Sequence, residues 1–196
     1  MSFSLPNSEI EILVAQAQRG DEPAFEKIFE LYYEPLCRYV RFRSKPEETE
    51  DLVSDIFLKI VRNLSRYKPQ KGILKSGRGA FSAWVFRMAR NLIIDQYRNA
   101  HESASLYDAE SGELRFDLPD PRLNPQQSAA QHDEHRIMHS ALKKLPASHR
   151  EILELKFLHE FSNTEIATIT GKSEGSIRVA QLRALREARK FFPKDN

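Results

Sequence analysis

The stretch from Phe161 to Lys190, FSNTEIATITGKSEGSIRVAQLRALREARK, limits most sharply what this chain can fold into. Ser162 and Glu165 have capping-box spacing, and Phe161 stands in staple position to Ile166, so a helix is predicted to start at Asn163. Gly171 ends it, because glycine takes the left-handed conformation without steric cost, and Ser173 is placed to cap a second helix. Ile177, Ala180, Ala184, Ala188 and Phe191 fall on one side of that helix and form an inward apolar stripe. Arg178, Val179, Leu182, Arg183, Arg186, Arg189 and Lys190 fall on the other. A solvated face ordinarily mixes charges, whereas this arc is nearly all cationic with two apolar residues at its centre. It suits a major groove lined by phosphates, with base edges and thymine methyls on its floor. The pattern is a helix-turn-helix.

Charge is unevenly spread over the 196 residues, although the total is only +2. Residues 1–100 hold 16 basic and 13 acidic groups, 101–135 hold 2 and 8, and 136–196 hold 12 and 7. Two basic bodies joined by an acidic strap are expected. Cys37 is the only cysteine, which rules out an internal disulfide and a cysteine-rich zinc site and fits a reducing compartment. No apolar run approaches eighteen residues, and the N-terminus lacks the order of a signal peptide, so a cytoplasmic protein without membrane insertion of its own is expected.

In chain order, Ser8 and Glu11 read as another capping box, opening a short helix to about Arg19, with Gly20 ending it and Asp21 capping the next. Phe25, Ile28, Phe29, Tyr32, Leu36, Tyr39 and Val40 then repeat at helical spacing, and Pro35 is expected to kink that helix or mark a break. A third helix opens at Ser44–Glu47 and runs to about Tyr67. Leu52, Ile56 and Ile60 form one of its apolar rows, and Val53, Phe57, Val61 and Leu64 the other. Glu47, Glu48, Glu50, Asp51 and Asp55 crowd its start, which suits either the helix dipole or an acidic docking edge. The segment Lys68–Gly79 reads as a cationic loop. In the helix after it, Phe81, Trp84, Val85, Met88, Leu92 and Ile93 are expected to face inward, and Arg87, Arg90, Asn91, Asp95 and Arg98 outward. Tyr67 and Phe81, near the loop, are candidates for stacking on unpaired bases; Trp84 is read as core.

Residues 101–128 have no sustained period and read as a flexible linker. His132, His135 and His139 share a helical face, but no further ligand cluster completes a metal shell, so they read as a solvated helix start and no metal or cofactor is implied. A helix with Ile137, Met138, Ala141, Leu142 and Leu145 follows. Ser148 and Glu151 read as a further capping box before the opening motif.

The chain resembles a bacterial RNA polymerase sigma factor of the extracytoplasmic-function group. AFEKIFELYYEPLCRYV, EDLVSDIFLKIVRNL and FSAWVFRMARNLIIDQYR follow the family's region 2, and LPASHREILELKFLHEFSNTEIATITGKSEGSIRVAQLRALR follows its region 4. The resemblance implies an all-α fold of two small helical domains, region 2 at 1–100 and region 4 at 129–196, joined by the flexible linker 101–128. It implies core RNA polymerase and promoter DNA, both duplex and melted, as partners; many relatives are also held by an anti-sigma factor, a partner the sequence leaves open. Asp51, Leu52, Asp55, Ile56 and Phe57 look like the surface that grips the polymerase's largest subunit, which decides the acidic edge in favour of docking. Lys71, Lys75, Arg78, Arg87, Arg90, Asn91, Asp95 and Arg98 look like the part that captures and melts the minus-ten element. Ser176, Arg178, Val179, Leu182, Arg183 and Arg186 look like the reader of the minus-thirty-five element. The loop is longer than in many relatives, and Ala180 and Leu182 replace residues frequent there, so the promoter preference is expected to be this chain's own.

Two other readings compete. A stand-alone helix-turn-helix regulator would bind duplex operators as a dimer, but it leaves the N-terminal half unexplained and a dimer helix is not evident. A nucleic-acid enzyme using the histidine trio lacks a convergent acid, base and nucleophile. The expectation is a factor that performs no covalent chemistry itself.

Overall fold

The computed structural model describes residues 5–69, 77–100, 142 and 144–191. These residues are helical and turn structure, with no strand among them. The helices are α1 (Asn7–Ala17), α2 (Glu22–Arg41), α3 (Thr49–Leu64), α4 (Ala80–Ala100), α5 (Ala147–Leu153), α6 (Asn163–Thr170) and α7 (Glu174–Ala188). A 3-10 turn at Pro46–Glu48 leads into α3, and a π turn at Glu154–Leu158 follows α5.

Asp21 caps α2 by accepting from the Ala24 N–H, after Gly20 has turned the chain at φ 88°. α2 runs through Pro35 without interruption, so the expected break is absent; Pro35 and its neighbour Leu36 are both buried. α1 and α3 pack on α2, and α3 also packs on α4. Ile28, Tyr32, Leu36, Val53, Ile56, Ile60, Phe81 and Val85 fill the space between them. Two polar side chains are tied into this core: Tyr32 Oη lies 2.7 Å from Ser82 Oγ, and the Gln18 amide donates to the carbonyls of Leu64 and Tyr67.

Two expected capping boxes did not form, for one shared reason. LPNSEIE and LPASHRE have the same spacing, and in each the proline is the residue before the helix, so the helix begins one residue ahead of the serine and no side chain caps it. A serine inside the first turn no longer aims at the orphan N–H groups. The two glutamates are then free to reach elsewhere: Glu11 accepts from Tyr67 Oη at 2.9 Å and Glu151 from Tyr39 Oη at 3.0 Å.

The third box is present in full. Ser162 accepts from the Glu165 N–H at 3.3 Å, Glu165 accepts from the Ser162 N–H at 2.6 Å, and Phe161 and Ile166 are both wholly buried. Gly171 ends α6 at φ 72°, and Ser173 caps α7 through the Ser176 N–H at 3.2 Å. Ile177, Ala184 and Ala188 face inward as the spacing predicted.

The helix-turn-helix is not a separate body. α6 packs on α4, and one apolar core continues from Phe86 and Ala89 of α4 to Leu155, Phe161, Ile166 and Ile169. α4 is therefore buried on two sides over its first half: Ala83, Phe86 and Ala89 are buried in addition to the expected inward row, Phe86 against Phe161, while Trp84 and Leu92 are only partly buried. Tyr67 and Phe81 belong to this core, edge to face with centroids 5.1 Å apart, so neither is free to stack on a base.

Candidate nucleic-acid and polymerase interfaces

α7 presents Ser176, Arg178, Val179, Leu182, Arg183 and Arg186 to solvent, with Arg189 and Lys190 just beyond its end. Val179 and Leu182 are about half exposed at the centre of this arc, an arrangement that wastes apolar surface unless something covers it. Arg178 pairs with Glu174 one turn earlier, and that contact holds the Glu174 carboxyl below the usual range. The predicted duplex-reading residues share one open, cationic face.

The predicted minus-ten residues divide. Lys71 and Lys75 lie outside the described residues. Arg87, Asn91, Asp95 and Arg98 are exposed along α4, and Asp95 stands 3.8 Å from Lys59. Arg90 is different. It is buried, and its Nε donates to both Glu151 carboxylate oxygens at 3.2 and 3.3 Å. Arg78 also turns inward, donating to the His159 carbonyl at 3.0 Å and pairing with Glu160.

Arg43, which the sequence did not single out, organises this junction. Its guanidinium lies 3.6 Å over the Tyr39 ring, donates to the Tyr39 carbonyl at 2.7 Å, and meets Glu154 at 2.8 Å. Burial alone would raise the Glu154 pKa, but Arg43 and the neighbouring His159 together hold it below the usual value. His159, its Nε2 3.7 Å from Glu154, sits among Tyr39, Phe86 and Phe161, and burial pushes its pKa down. The signal available in the sequence was the Arg41–Arg43 cluster and, far along the chain, Glu151 in α5 with Glu154 in the turn after it; pairing across more than 100 residues has no local pattern.

The predicted polymerase-binding residues also divide. Asp51 and Asp55 are exposed, whereas Leu52, Ile56 and Phe57 are core. The exposed apolar surface nearby comes instead from Phe29, Tyr33, Leu58 and Val61. Phe29 contacts both Tyr33 and Phe57, with centroids 5.3 and 4.4 Å apart. Phe29 and Val61, with Phe25, Leu64 and the end of α1, line a groove of about 690 Å³. His132, His135 and His139 lie outside the described residues.

Two family models match in the order the architecture requires: Sigma-70 region 2 over residues 28–102, and Sigma-70, region 4 over residues 135–187. SigD of Mycobacterium tuberculosis, an extracytoplasmic-function (ECF) RNA polymerase sigma factor, is 30% identical over 189 residues, covering 94% of this chain and 84% of SigD. The chain belongs to the ECF sigma factors. It is an alternative sigma factor for transcription initiation. BldN of Streptomyces coelicolor, also an ECF sigma factor, is 30% identical over 184 residues, 93% of this chain and 66% of BldN, so the chain spans about two thirds of that relative. The fold of this sigma factor is also that of CnrH, solved with the cytosolic domain of CnrY (TM-score 0.62, 24% identity, 91% of this chain and 94% of that one). RpoE of Bartonella quintana, solved with the anti-sigma factor NepR, gives a TM-score of 0.63 at 22% identity, covering 88% of this chain and 98% of that one. Among the described residues of this sigma factor no helix is long and apolar enough to cross a membrane.

Proposed function

We propose that this sigma factor divides its work between residues 1–100 and 129–196, joined by the linker 101–128. The exposed edge of α3, with Asp51 and Asp55 beside Phe29, Tyr33, Leu58 and Val61, grips core RNA polymerase; Leu52, Ile56 and Phe57 hold that edge in shape from beneath. Lys71, Lys75 and the polar side of α4, with Arg87, Asn91, Asp95 and Arg98, take the minus-ten element as its strands part; Arg78 and Arg90 complete that set of residues, although both point inward here, toward Glu160 and Glu151. Ser176, Arg178, Val179, Leu182, Arg183 and Arg186 of α7 read the minus-thirty-five duplex. An anti-sigma protein is a further partner, as NepR is for RpoE, and the site of action is the cytoplasm.

The chain performs no covalent chemistry in this reading; polymerase does. Unstacking and unpairing bases costs a few kcal/mol, offset by strand contacts and by polymerase binding. The observation that carries the reading is the exposed cationic face of a fully capped helix-turn-helix in a chain that also matches Sigma-70 region 2 over residues 28–102. Gel shifts on a promoter fragment, with and without core polymerase, provide the test. A specific complex is expected only when polymerase is present. Tight specific binding by the free chain would instead favour a stand-alone regulator.

A further inference from the structure

The cations on the outer face of α7 are not equivalent. Among the described residues, Arg183 and Arg186 form no ion pair, whereas Arg178, one turn from the helix start, is held by Glu174. Glu174 is held in turn from the neighbouring helix. Thr164 Oγ1, in the first turn of α6, donates to Glu174 Oε2 at 3.1 Å, while Oε1 accepts from Arg178 Nη2. Arg178 and then Thr164 keep the carboxyl below its usual range. The relay from Thr164 through Glu174 to Arg178 clasps the two helices of the motif at the end of α7 that meets base edges.

A carboxylate beside a guanidinium cancels most of its charge at a distance, and a phosphate brought to Arg178 meets Glu174 as well. Arg178 is therefore a poor phosphate anchor compared with Arg183 and Arg186. A base edge is neutral and imposes no such penalty. What it demands is geometry: two donors lined up with N7 and O6 of guanine, for which a free arginine must give up rotamer freedom. Glu174 has already restricted that freedom. It engages one hydrogen of Nη2, which leaves the other, together with Nη1, to face a base.

We propose that Glu174 and Thr164 are positioning residues for promoter choice: they hold Arg178 ready as the guanine reader of α7. The inference rests on the assignment of the α7 face to the minus-thirty-five duplex. An exposed pair four residues apart on a helix adds little to stability, so the clasp shows itself in base preference and not in melting temperature. A carboxylate can also accept directly from N4 of cytosine, and the test separates that role from positioning.

Holoenzyme is reconstituted from core polymerase and the full chain, as wild type or with Arg178→Ala, Glu174→Ala, Thr164→Val or Thr164→Ser. Each transcribes one random promoter library, and base preferences are read from the templates that yield RNA. The wild type is expected to favour guanine at one position of the upstream element by roughly tenfold or more, and Arg178→Ala to lose that preference. Glu174→Ala and Thr164→Val should each cut it about threefold, whereas Thr164→Ser, which keeps the hydroxyl, should retain it. Preferences at other positions and all melting temperatures should stay as in the wild type. A guanine preference that Arg178→Ala abolishes but Glu174→Ala leaves whole would overturn the proposal while keeping the groove assignment. So would a cytosine preference lost with Glu174→Ala at a base pair indifferent to Arg178→Ala, because Glu174 would then read the base itself. If Arg178→Ala changes no preference in the upstream element, the assignment of Arg178 to the groove falls, and the proposal with it.

Discussion

Arg183 and Arg189 leave α7 on the same side but at different distances from its start. Recognition helices touch base edges with their earlier residues, and Arg189 lies already at the C-cap. Arg183→Ala is therefore expected to cost about 1–3 kcal/mol at one promoter position, and Arg189→Ala to weaken binding evenly across sequences. Equal losses on matched and scrambled promoters for both variants would show that the groove face has been assigned wrongly. His159 supports a prediction in pH. Its pKa lies below the ordinary 6.5 because it is buried, so the unfolded chain takes up the proton that the folded one refuses. Stability from this group is present above about 6.5 and lost as pH falls through that value. Glu154, also lowered, acts in the same direction below its ordinary 4.5, whereas Glu165, raised by burial, acts oppositely. Between pH 7.5 and 5.5 the wild type should lose stability relative to His159→Phe in denaturant titrations. Parallel curves for the two proteins would mean that the ring is not held neutral.

α3 shows how an element can be both framework and contact. Asp55 is exposed, its nearest partner being Gln96 Nε2 at 3.4 Å, whereas Ile56 beside it is wholly buried. Asp55→Ala should weaken co-purification with core polymerase by about 1 kcal/mol, roughly fivefold, with the melting temperature unchanged. Ile56→Ala should instead lower stability itself, by about 2–5 kcal/mol. Undiminished pull-down by Asp55→Ala would place docking elsewhere. The helix-turn-helix was readable in the sequence down to single caps, because capping and glycine termination are local chemistry that depends on a few adjacent residues. The two failed capping boxes show the limit of such patterns: a proline one residue earlier moved each helix start and turned a capping glutamate into a long-range acceptor. α4 shows another limit. Ala83, Phe86 and Ala89 are compatible with one broad apolar face, and only the arrival of α6 makes them a second one.

For the whole molecule, the sequence suggested two modules on a leash, and the structure places them in contact through Arg43, Arg90, Glu151 and Glu154. Buried ion pairs of this kind add little net stability when complete, but are costly to break one partner at a time. Such an interface favours all-or-none separation over gradual loosening. Function then depends on polymerase holding the modules apart at the spacing of the promoter elements. Mapping RNA 5′ ends made by core polymerase on a random promoter library, with and without this chain, tests that most directly. A new set of start sites is expected, each preceded by two common elements at a fixed separation. An unchanged set of starts, or new starts sharing only one element, would contradict it.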